Sequence, residues 1–157
     1  MADLHIEEFF GDAARVLVSL YRIFPRPVTL FVEDISGPDE PDEYGVHSHR
    51  HQACFATMLF LHNEGFVEYA ETIRSEALDQ ASLSGKALSL LLSPMLSPIS
   101  DKSVSQNATE IEQNSSLPAS VLAEQATAIY QLEHAVKHND AATTTRIMQY
   151  LLADITR

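Results

Sequence analysis

The sequence contains no tryptophan and only one cysteine, Cys54, among its 157 residues. A single cysteine excludes a disulfide within the chain and a metal site built from several thiolates. The apolar neighbours of Cys54 predict a buried thiol. No apolar run approaches the roughly 18 residues of a membrane-spanning helix, and the first residues lack the basic segment and apolar core of a secretory signal. We therefore expect a cytoplasmic protein.

Positive charge is scarce as well. The chain has 10 Lys and Arg residues against 22 Asp and Glu residues, which gives a net charge of −12. Residues 1–92 hold 15 of the acids and 6 of the bases, a net charge of −9. Because nucleic-acid binding depends chiefly on Lys and Arg that neutralise phosphates, this balance disfavours an ordinary DNA-binding role. It does not disfavour a protein partner.

The common catalytic and cofactor motifs are absent from the sequence. There is no G-x-S-x-G nucleophile elbow, no Walker-type phosphate loop, no G-x-G-x-x-G and no H-E-x-x-H. These absences favour a non-enzymatic protein, so we predict no catalytic residue and no cofactor.

The first third of the chain predicts a long helix and an acidic loop. Apolar residues recur at three- and four-residue spacing over residues 3–24, which is typical of an amphipathic helix. Residues 28–35 fit either a strand or a short helix, and Pro27 at a first helical position favours the helix. Residues 36–46 contain two prolines, two glycines and four acids, and these predict a surface loop.

A second helix and a β-hairpin follow this loop. Ser48 is a good N-cap for a helix over residues 48–63, and Gly65 suits the left-handed conformation of a helix end. Residues 66–83 contain two strand-like runs joined by a turn near residues 72–75, and Ser84 caps a further helix over residues 85–92.

The segments "LFLHNEGFVEY" and "LDQASLSGKALSLL" resemble the bacterial winged-helix pattern. In that pattern a recognition helix ends at Glu-Gly and leads to a strand, a hairpin and another helix. The resemblance covers about residues 4–92 and identifies no particular family. It implies a mainly α fold with a small β-hairpin, in which residues 28–36 form the second helix, 48–63 the recognition helix and 66–83 the winged hairpin.

The same resemblance implies DNA binding, and the residues disagree with this implication. Arg50, Gln52 and Arg74 are the candidate DNA contacts, and Arg50 is the only fixed positive charge expected on the outward face of the recognition helix. The turn before that helix is about eleven residues long and acidic. A shared fold does not transfer a function.

The rest of the chain predicts a linker and a helical hairpin. We divide the chain into a winged-helix-like domain (1–92), a polar linker (93–117) and an antiparallel helical hairpin (118–157). Pro118 opens a helix to about His138, and Asp140 caps the last helix. The apolar faces of such a hairpin need cover, so we expect it to dock on the first helix or to form a homodimer.

Two groups of residues are candidate sites. Asp39, Glu40, Asp42 and Glu43, with Arg50 beside them in the sequence, form the candidate surface for a protein partner. His47 and His51, four residues apart, are candidate metal ligands together with Asp42, because imidazole and carboxylate groups are common ligands of zinc. His49 points away from His51 on a regular helix.

Three functions fit these observations. The first is an acidic winged-helix-like module that binds a protein partner or a second copy of itself. The second is a dimeric winged-helix transcription regulator that binds DNA. The third is a metal-dependent enzyme that uses His47, His51 and the carboxylates of residues 39–43. The charge and the missing motifs favour the first.

Overall fold

A computed structural model describes residues 3–95 and 118–155. The fold is mainly helical with a small antiparallel sheet, as the sequence predicts. The helices are α1 (Leu4–Ile23), α2 (Val32–Ser36), α3 (His49–Asn63), α4 (Gly85–Leu92), α5 (Ala119–Gln125), α6 (Ala128–Lys137) and α7 (Ala141–Ile155), and the strands are β1 (Val28–Phe31), β2 (Val67–Glu68), β3 (Glu71–Ile73) and β4 (Ala77–Leu83). None of these described helices is long and apolar enough to cross a membrane.

Helix α1 is the central element of the core. Within its apolar stripe, Val16, Leu17 and Leu20 are fully buried, whereas Phe9, Tyr21 and Phe24 are half-buried. The helix contacts α3, α6, α7 and β4. It ends at Ile23, just before Pro25, because a residue that precedes proline is disfavoured in helical conformation.

The run over residues 28–35 is half strand and half helix, so the favoured helix is wrong for its first half, where the strand alternative is correct. Strand β1 pairs antiparallel with β4, with Val28 opposite Ala81 and Leu30 opposite Leu78. The backbone N–H of Val32 then donates to the carbonyl of Glu76, and α2 begins. Pairing with a strand about fifty residues away supplies backbone hydrogen bonds that no local pattern reveals.

The predicted start and end of α3 are confirmed. The hydroxyl of Ser48 accepts a hydrogen bond from the backbone N–H of His51 at 3.2 Å. Gly65, after the end of the helix, has a φ of +85°, which glycine adopts at little cost. Strand β2 follows and pairs with β4, with Val67 opposite Leu83.

The hairpin over β3 and β4 turns at Arg74 and Ser75. Both residues have positive φ angles, +48° and +59°, which are unfavourable for residues other than glycine. The backbone N–H of Glu76 donates to the carbonyl of Ile73 and closes the turn. The carbonyl of Ser75 thereby comes to lie against α3.

The predicted helix over residues 118–138 is broken in two. Helix α5 ends at Gln125, and Thr127 caps α6 by accepting a hydrogen bond from the N–H of Tyr130. At the break, the N–H of Met95 donates to the carbonyl of Ala126, and the N–H of Ala128 donates to the carbonyl of Ser93. These long-range bonds replace helical ones, so the prediction of one continuous helix is wrong at this point.

Helices α6 and α7 form the expected helical pair, and Asp140 caps α7 by accepting from the N–H of Thr143. That hydrogen bond and the Thr143 hydroxyl lower the pKa of Asp140. Both helices contact α1 and α4. Leu132, Ile147 and Leu151 belong to the same hydrophobic core as Leu17. The hairpin thus docks on the first helix, one of the two arrangements expected, and its buried face gives no separate reason for a dimer.

The predicted linker falls mostly outside the described residues, which resume at residue 118. Of its first residues, Met95 is buried and its N–H donates to the carbonyl of Ala126, whereas Pro94 is exposed. The polar composition of the segment predicted a linker, and the burial of Met95 differs from that expectation at its start.

Ser84 connects the start of α4 to the turn after α3, and its contribution to stability can be measured. Its hydroxyl accepts from the N–H of Ala87 at the start of α4 and donates to the carbonyl of Gly65 at 2.6 Å, and the residue is buried. We expect Ser84→Ala to lower the free energy of unfolding by about 1 to 2 kcal/mol, because it removes a cap and leaves a buried carbonyl unpaired. Urea unfolding measures this. Ser93→Ala, at a less buried helix end, is the control and should cost clearly less.

Candidate functional site

Two histidines and an aspartate meet where the acidic loop joins α3. The rings of His47 and His51 stack with their centroids 3.8 Å apart and an angle of 8° between their planes. Asp39 Oδ2 lies 2.8 Å from His47 Nδ1 and 3.8 Å from His51 Nδ1. One ligand atom from each of the three residues lies within 4.8 Å of the others. We call these residues the histidine cluster.

The aspartate of this cluster is Asp39 and not Asp42, which we predicted as the third ligand. The carboxylate of Asp42 accepts hydrogen bonds from the backbone N–H groups of Tyr44 and Val46, both at 2.9 Å. It therefore holds the turn of its own loop. Asp39 lies eight residues before His47, and only the fold of the loop brings the two together.

Asp39 is fixed in its ionised form. The hydroxyl of Ser48 donates to Asp39 Oδ1 at 2.5 Å. This hydrogen bond, helped by His47, lowers the pKa of Asp39 below its ordinary value of 3.8 despite partial burial. At neutral pH the cluster therefore contains a negative charge next to two imidazole rings.

The turn between β3 and β4 contacts the far side of both rings. Ser75 accepts from His51 Nε2 through its carbonyl at 3.1 Å, and Glu76 Oε1 lies 3.6 Å from His47 Nε2. An open cavity of about 510 Å³ adjoins the cluster, lined by both histidines, by Gln52 and Phe55 of α3, and by residues 74–76. The predicted candidates His47 and His51 are thus brought together, whereas His49 is exposed elsewhere on α3.

Arg50 lies inside an ion-pair network and not on a free surface. Its guanidinium donates two hydrogen bonds of 2.6 Å to the carboxylate of Asp12, a residue of α1 that is 1% exposed. Arg15 approaches the same carboxylate at 3.3 Å, and Glu8 lies 4.0 Å from Arg50. The hydrogen bonds to Asp12 raise the pKa of Arg50. The pair fastens α3 to α1.

The other two candidate DNA contacts are differently placed. The side-chain amide of Gln52 donates to the carbonyl of His47 at 2.8 Å. Arg74 is exposed at the tip of the β3–β4 turn, and its sequence neighbours include Glu71 and Glu76. Two of the three candidates, Arg50 and Gln52, therefore already have intramolecular hydrogen-bond partners.

An apolar groove runs between the N-terminal half of α1 and the exposed face of α3. Its volume is about 360 Å³, and it is lined by His5, Ile6, Glu8, Phe9, Asp12, Ala53, Ala56, Thr57 and Phe60. Ile6 and Phe60 are 44% and 39% exposed. Phe60 packs edge-on against Phe9 with ring centroids 5.2 Å apart. We call this feature the α1/α3 groove.

The α3 side of this groove belongs to the face that was expected to point outward with Arg50 and Gln52. Gln52, Ala56 and Phe60 are exposed there, whereas Arg50 is half-buried against Asp12. The α1 side was not predicted, because Phe9 was assigned to the apolar stripe of the core and Ile6 was assigned to no site. The exposed position of Ile6 at the first turn of α1 depends on where α3 crosses α1, which periodicity does not specify.

The remaining predicted partner residues, Glu40, Asp42 and Glu43, are exposed in the acidic loop, while Asp39 is turned toward the histidines. Cys54 is fully buried, as predicted. Burial raises the pKa of its thiol to about 12. The thiolate needed for nucleophilic chemistry is therefore negligible at neutral pH.

Comparison of the chain with family models, with curated proteins and with solved structures gives no match. The resemblance to winged-helix proteins therefore stays a hypothesis that depends on the residues and on the order of the elements.

Proposed function

We propose that this protein is a cytoplasmic, non-enzymatic interaction module with a winged-helix-like N-terminal part, and that its α1/α3 groove binds a basic amphipathic helix of a protein partner. The observation that carries the proposal is the apolar lining of the groove. Ile6, Ala56 and Phe60 are exposed there on adjacent helices. Grooves of this kind bind the apolar face of a partner helix.

The order of the elements supports the winged-helix part of the proposal. A helix is followed by a strand, two helices and a β-hairpin, and the last strand of the hairpin pairs with the first strand. In this arrangement α3 takes the place of the recognition helix and the turn at Arg74 takes the place of the wing tip. The exposed face of α3 would then be the surface that related folds use for recognition.

The charge of the chain supports a basic partner. Glu8 lines the groove, Glu7 is exposed on the same helical turn, and the net charge of the chain is −12. Complementary charge accelerates association and excludes partners of like charge. A second copy of this chain would bring the same negative charge to the groove, so a separate partner rich in Lys and Arg is favoured over a homodimer.

DNA binding by a dimeric regulator is the alternative, and the arrangement of the bases argues against it. Arg50 would have to leave Asp12, a buried carboxylate, before it could reach a base or a phosphate. The loss of a buried ion-pair partner costs about 3 to 5 kcal/mol, and a guanidinium contact to a base returns about 1 to 3 kcal/mol. Reading DNA with Arg50 is therefore unfavourable.

Photocrosslinking tests the proposal. The full-length chain would contain a photoreactive amino acid in place of Ala56, at the floor of the groove, and would be irradiated in the native cytoplasm. We expect one predominant protein adduct whose crosslinked peptide is amphipathic and rich in Lys or Arg. Phe60→Ala should reduce the yield about tenfold or more, because it removes the aromatic side chain from the centre of the surface.

The matched control is Tyr150, an aromatic residue on α7 that is 42% exposed, close to the 39% of Phe60. The photoreactive residue at position 150 should not give the same adduct, and Tyr150→Ala should leave the yield from position 56 unchanged. An adduct with an acidic segment, with a second copy of the chain or with DNA would contradict the proposal. Equal yields from positions 56 and 150 would do so too.

A further inference from the structure

The histidine cluster contains a polar atom without a partner. His51 is 2% exposed, and its Nδ1 has no hydrogen-bond partner among the described residues. Asp39 Oδ2, at 3.8 Å, is beyond hydrogen-bond distance. A buried polar atom that is left unpaired costs about 1 to 3 kcal/mol. Such an atom in a group of ligand-type residues indicates that something else binds there.

The tautomer of His51 is set from its other side. The carbonyl of Ser75 only accepts hydrogen bonds, so His51 Nε2 carries the proton that it donates across 3.1 Å. In the neutral ring, Nδ1 then holds a free lone pair. Asp39 Oδ2 lies 3.8 Å from this nitrogen, and the His47 ring stacks on the face of the His51 ring.

We propose that Asp39, His47 and His51 bind one divalent transition-metal ion of the zinc class, through Asp39 Oδ2 and the Nδ1 atoms of the two histidines. Two imidazoles and one carboxylate are a ligand set that zinc accepts. The ion would take the lone pair of His51 Nδ1 and displace the proton between His47 Nδ1 and Asp39. That proton would pass through solvent to His47 Nε2, which faces Glu76 Oε1, so the His47 ring stays neutral. The ion would also neutralise the ionised carboxylate.

The distances between the ligand atoms fit this assignment. Metal–nitrogen distances of about 2.0 to 2.1 Å in a tetrahedral site place neighbouring ligand atoms about 3.3 Å apart. The separations from Asp39 Oδ2, 2.8 Å to His47 Nδ1 and 3.8 Å to His51 Nδ1, lie on either side of that value. Both separations differ from that value by about half an ångström. The His47 and His51 rings stack at 8°, and a ring nitrogen binds a metal in the plane of its ring, so one ring would also turn out of the stack when the ion binds.

The surroundings of the three ligands also fit. Ligating histidines usually donate their second ring N–H to a carbonyl or carboxylate, and ligating carboxylates are themselves hydrogen-bonded. Here the second nitrogen of His51 faces the Ser75 carbonyl, that of His47 faces the Glu76 carboxylate, and Asp39 Oδ1 accepts from Ser48. The strained turn at Arg74 and Ser75 thus supplies both outer partners of the histidines.

The ion would connect three elements that the chain separates. Asp39 and His47 belong to the acidic loop, His51 belongs to α3, and the outer partners come from the β3–β4 turn. Binding should therefore raise the thermal stability of the chain, because the ion binds the folded state in preference to the unfolded one.

Titration of the metal-free, full-length protein with Zn²⁺ in competition with a chromophoric chelator tests this inference. We expect one ion per chain, an increase in the melting temperature, and no effect of Mg²⁺, which prefers oxygen ligands. Asp39→Asn and His51→Gln should each weaken binding about a hundredfold or more. Glu76→Gln, which changes only an outer partner, should weaken it about tenfold to a hundredfold.

His49→Ala is the matched control, because His49 lies on the same helix and is exposed. It should leave the affinity unchanged. Absence of stoichiometric binding would overturn the inference, as would binding that survives Asp39→Asn or that His49→Ala weakens equally. If His51→Gln does not fold, Asp39→Asn on the half-buried loop decides the outcome. None of these residues lines the α1/α3 groove, so this test and the crosslinking test fail independently.

Discussion

Arg50→Ala is expected to lower the free energy of unfolding by about 3 kcal/mol. The substitution leaves Asp12, which is 1% exposed, without the two hydrogen bonds of 2.6 Å that it accepts from the guanidinium. Arg15 remains near the carboxylate at 3.3 Å and limits the loss to the lower part of the range for a broken buried pair. Equilibrium unfolding in urea at neutral pH measures the change.

The control is Arg74→Ala, which removes an exposed arginine from the β3–β4 turn and should change stability by less than about 0.5 kcal/mol. The double variant Asp12→Ala with Arg50→Ala should recover part of the loss, because no buried charge is then left unpaired. A cost for Arg50→Ala as small as that of the control would show that Arg50 is not held by Asp12. Arg50 would then again be available for DNA.

Leu151→Ala should also lower the free energy of unfolding by about 3 kcal/mol. The loss should affect the N-terminal part and the helical hairpin together. Leu151 of α7 is fully buried in the core that also contains Leu17 of α1. Truncation of a buried leucine removes its burial energy and leaves a cavity, which together cost about 2 to 5 kcal/mol. The decrease should appear in one cooperative transition, measured by circular dichroism and by tyrosine fluorescence together.

The neighbouring Tyr150 supplies the control, since it is 42% exposed and Tyr150→Ala should cost less than about 1 kcal/mol. Two separate transitions, of which only one responds to Leu151→Ala, would contradict a single core. In that case the hairpin would be an independent unit, and dimerisation through it would again need consideration.

Signals that act within a few residues of the chain predicted much of this fold. Ser48 caps α3, Ser84 caps α4 and Asp140 caps α7, each by accepting from a nearby backbone N–H. A cap needs only one side chain in the right place along the chain, so the sequence shows it directly. The apolar periodicity of α1 is a local signal of the same kind.

The errors arise where distant residues supply the hydrogen bonds. Strand β1 forms because β4 pairs with it. The break before α6 forms because the carbonyl of Ala126 accepts from the N–H of Met95, and the N–H of Ala128 donates to the carbonyl of Ser93. Neither partner is visible from a window of ten or fifteen residues. The patterns over residues 28–35 and 118–138 were correctly identified as regular structure. Tertiary contacts decide between strand and helix in the first segment and break the helix in the second.

In the candidate sites too, the sequence predicted what depends on nearby residues and missed what depends on distant ones. The four-residue spacing of His47 and His51 predicted that they lie together, and they do. His47 precedes the N-cap Ser48 and is outside α3, so the path of the loop places it there and not a helical turn. The choice of Asp39 over Asp42 depends on the path of a loop that contains two prolines and two glycines, and no periodicity applies there. Asp12, Ser75 and Glu76 were missed because each acts across a contact between elements.

The α1/α3 groove connects the fold to the proposed function. An exposed phenylalanine on the helix that would read DNA is unhelpful for contacts to phosphates, and Arg50 in the first turn of that helix is paired with a buried aspartate. The same surface suits an apolar helix face with basic flanks. The proposed function therefore depends on which side chains α3 exposes and not on the order of the elements.

Binding of a basic helix in the α1/α3 groove is tested most directly by two parallel titrations of the protein. One uses the basic segment identified by crosslinking, and the other uses random duplex DNA at the same concentration. We expect that the segment binds, that Phe60→Ala weakens its binding about tenfold, and that DNA does not bind at physiological salt. DNA binding that weakens steeply with salt, is lost in Arg74→Glu and is indifferent to Phe60→Ala would contradict it.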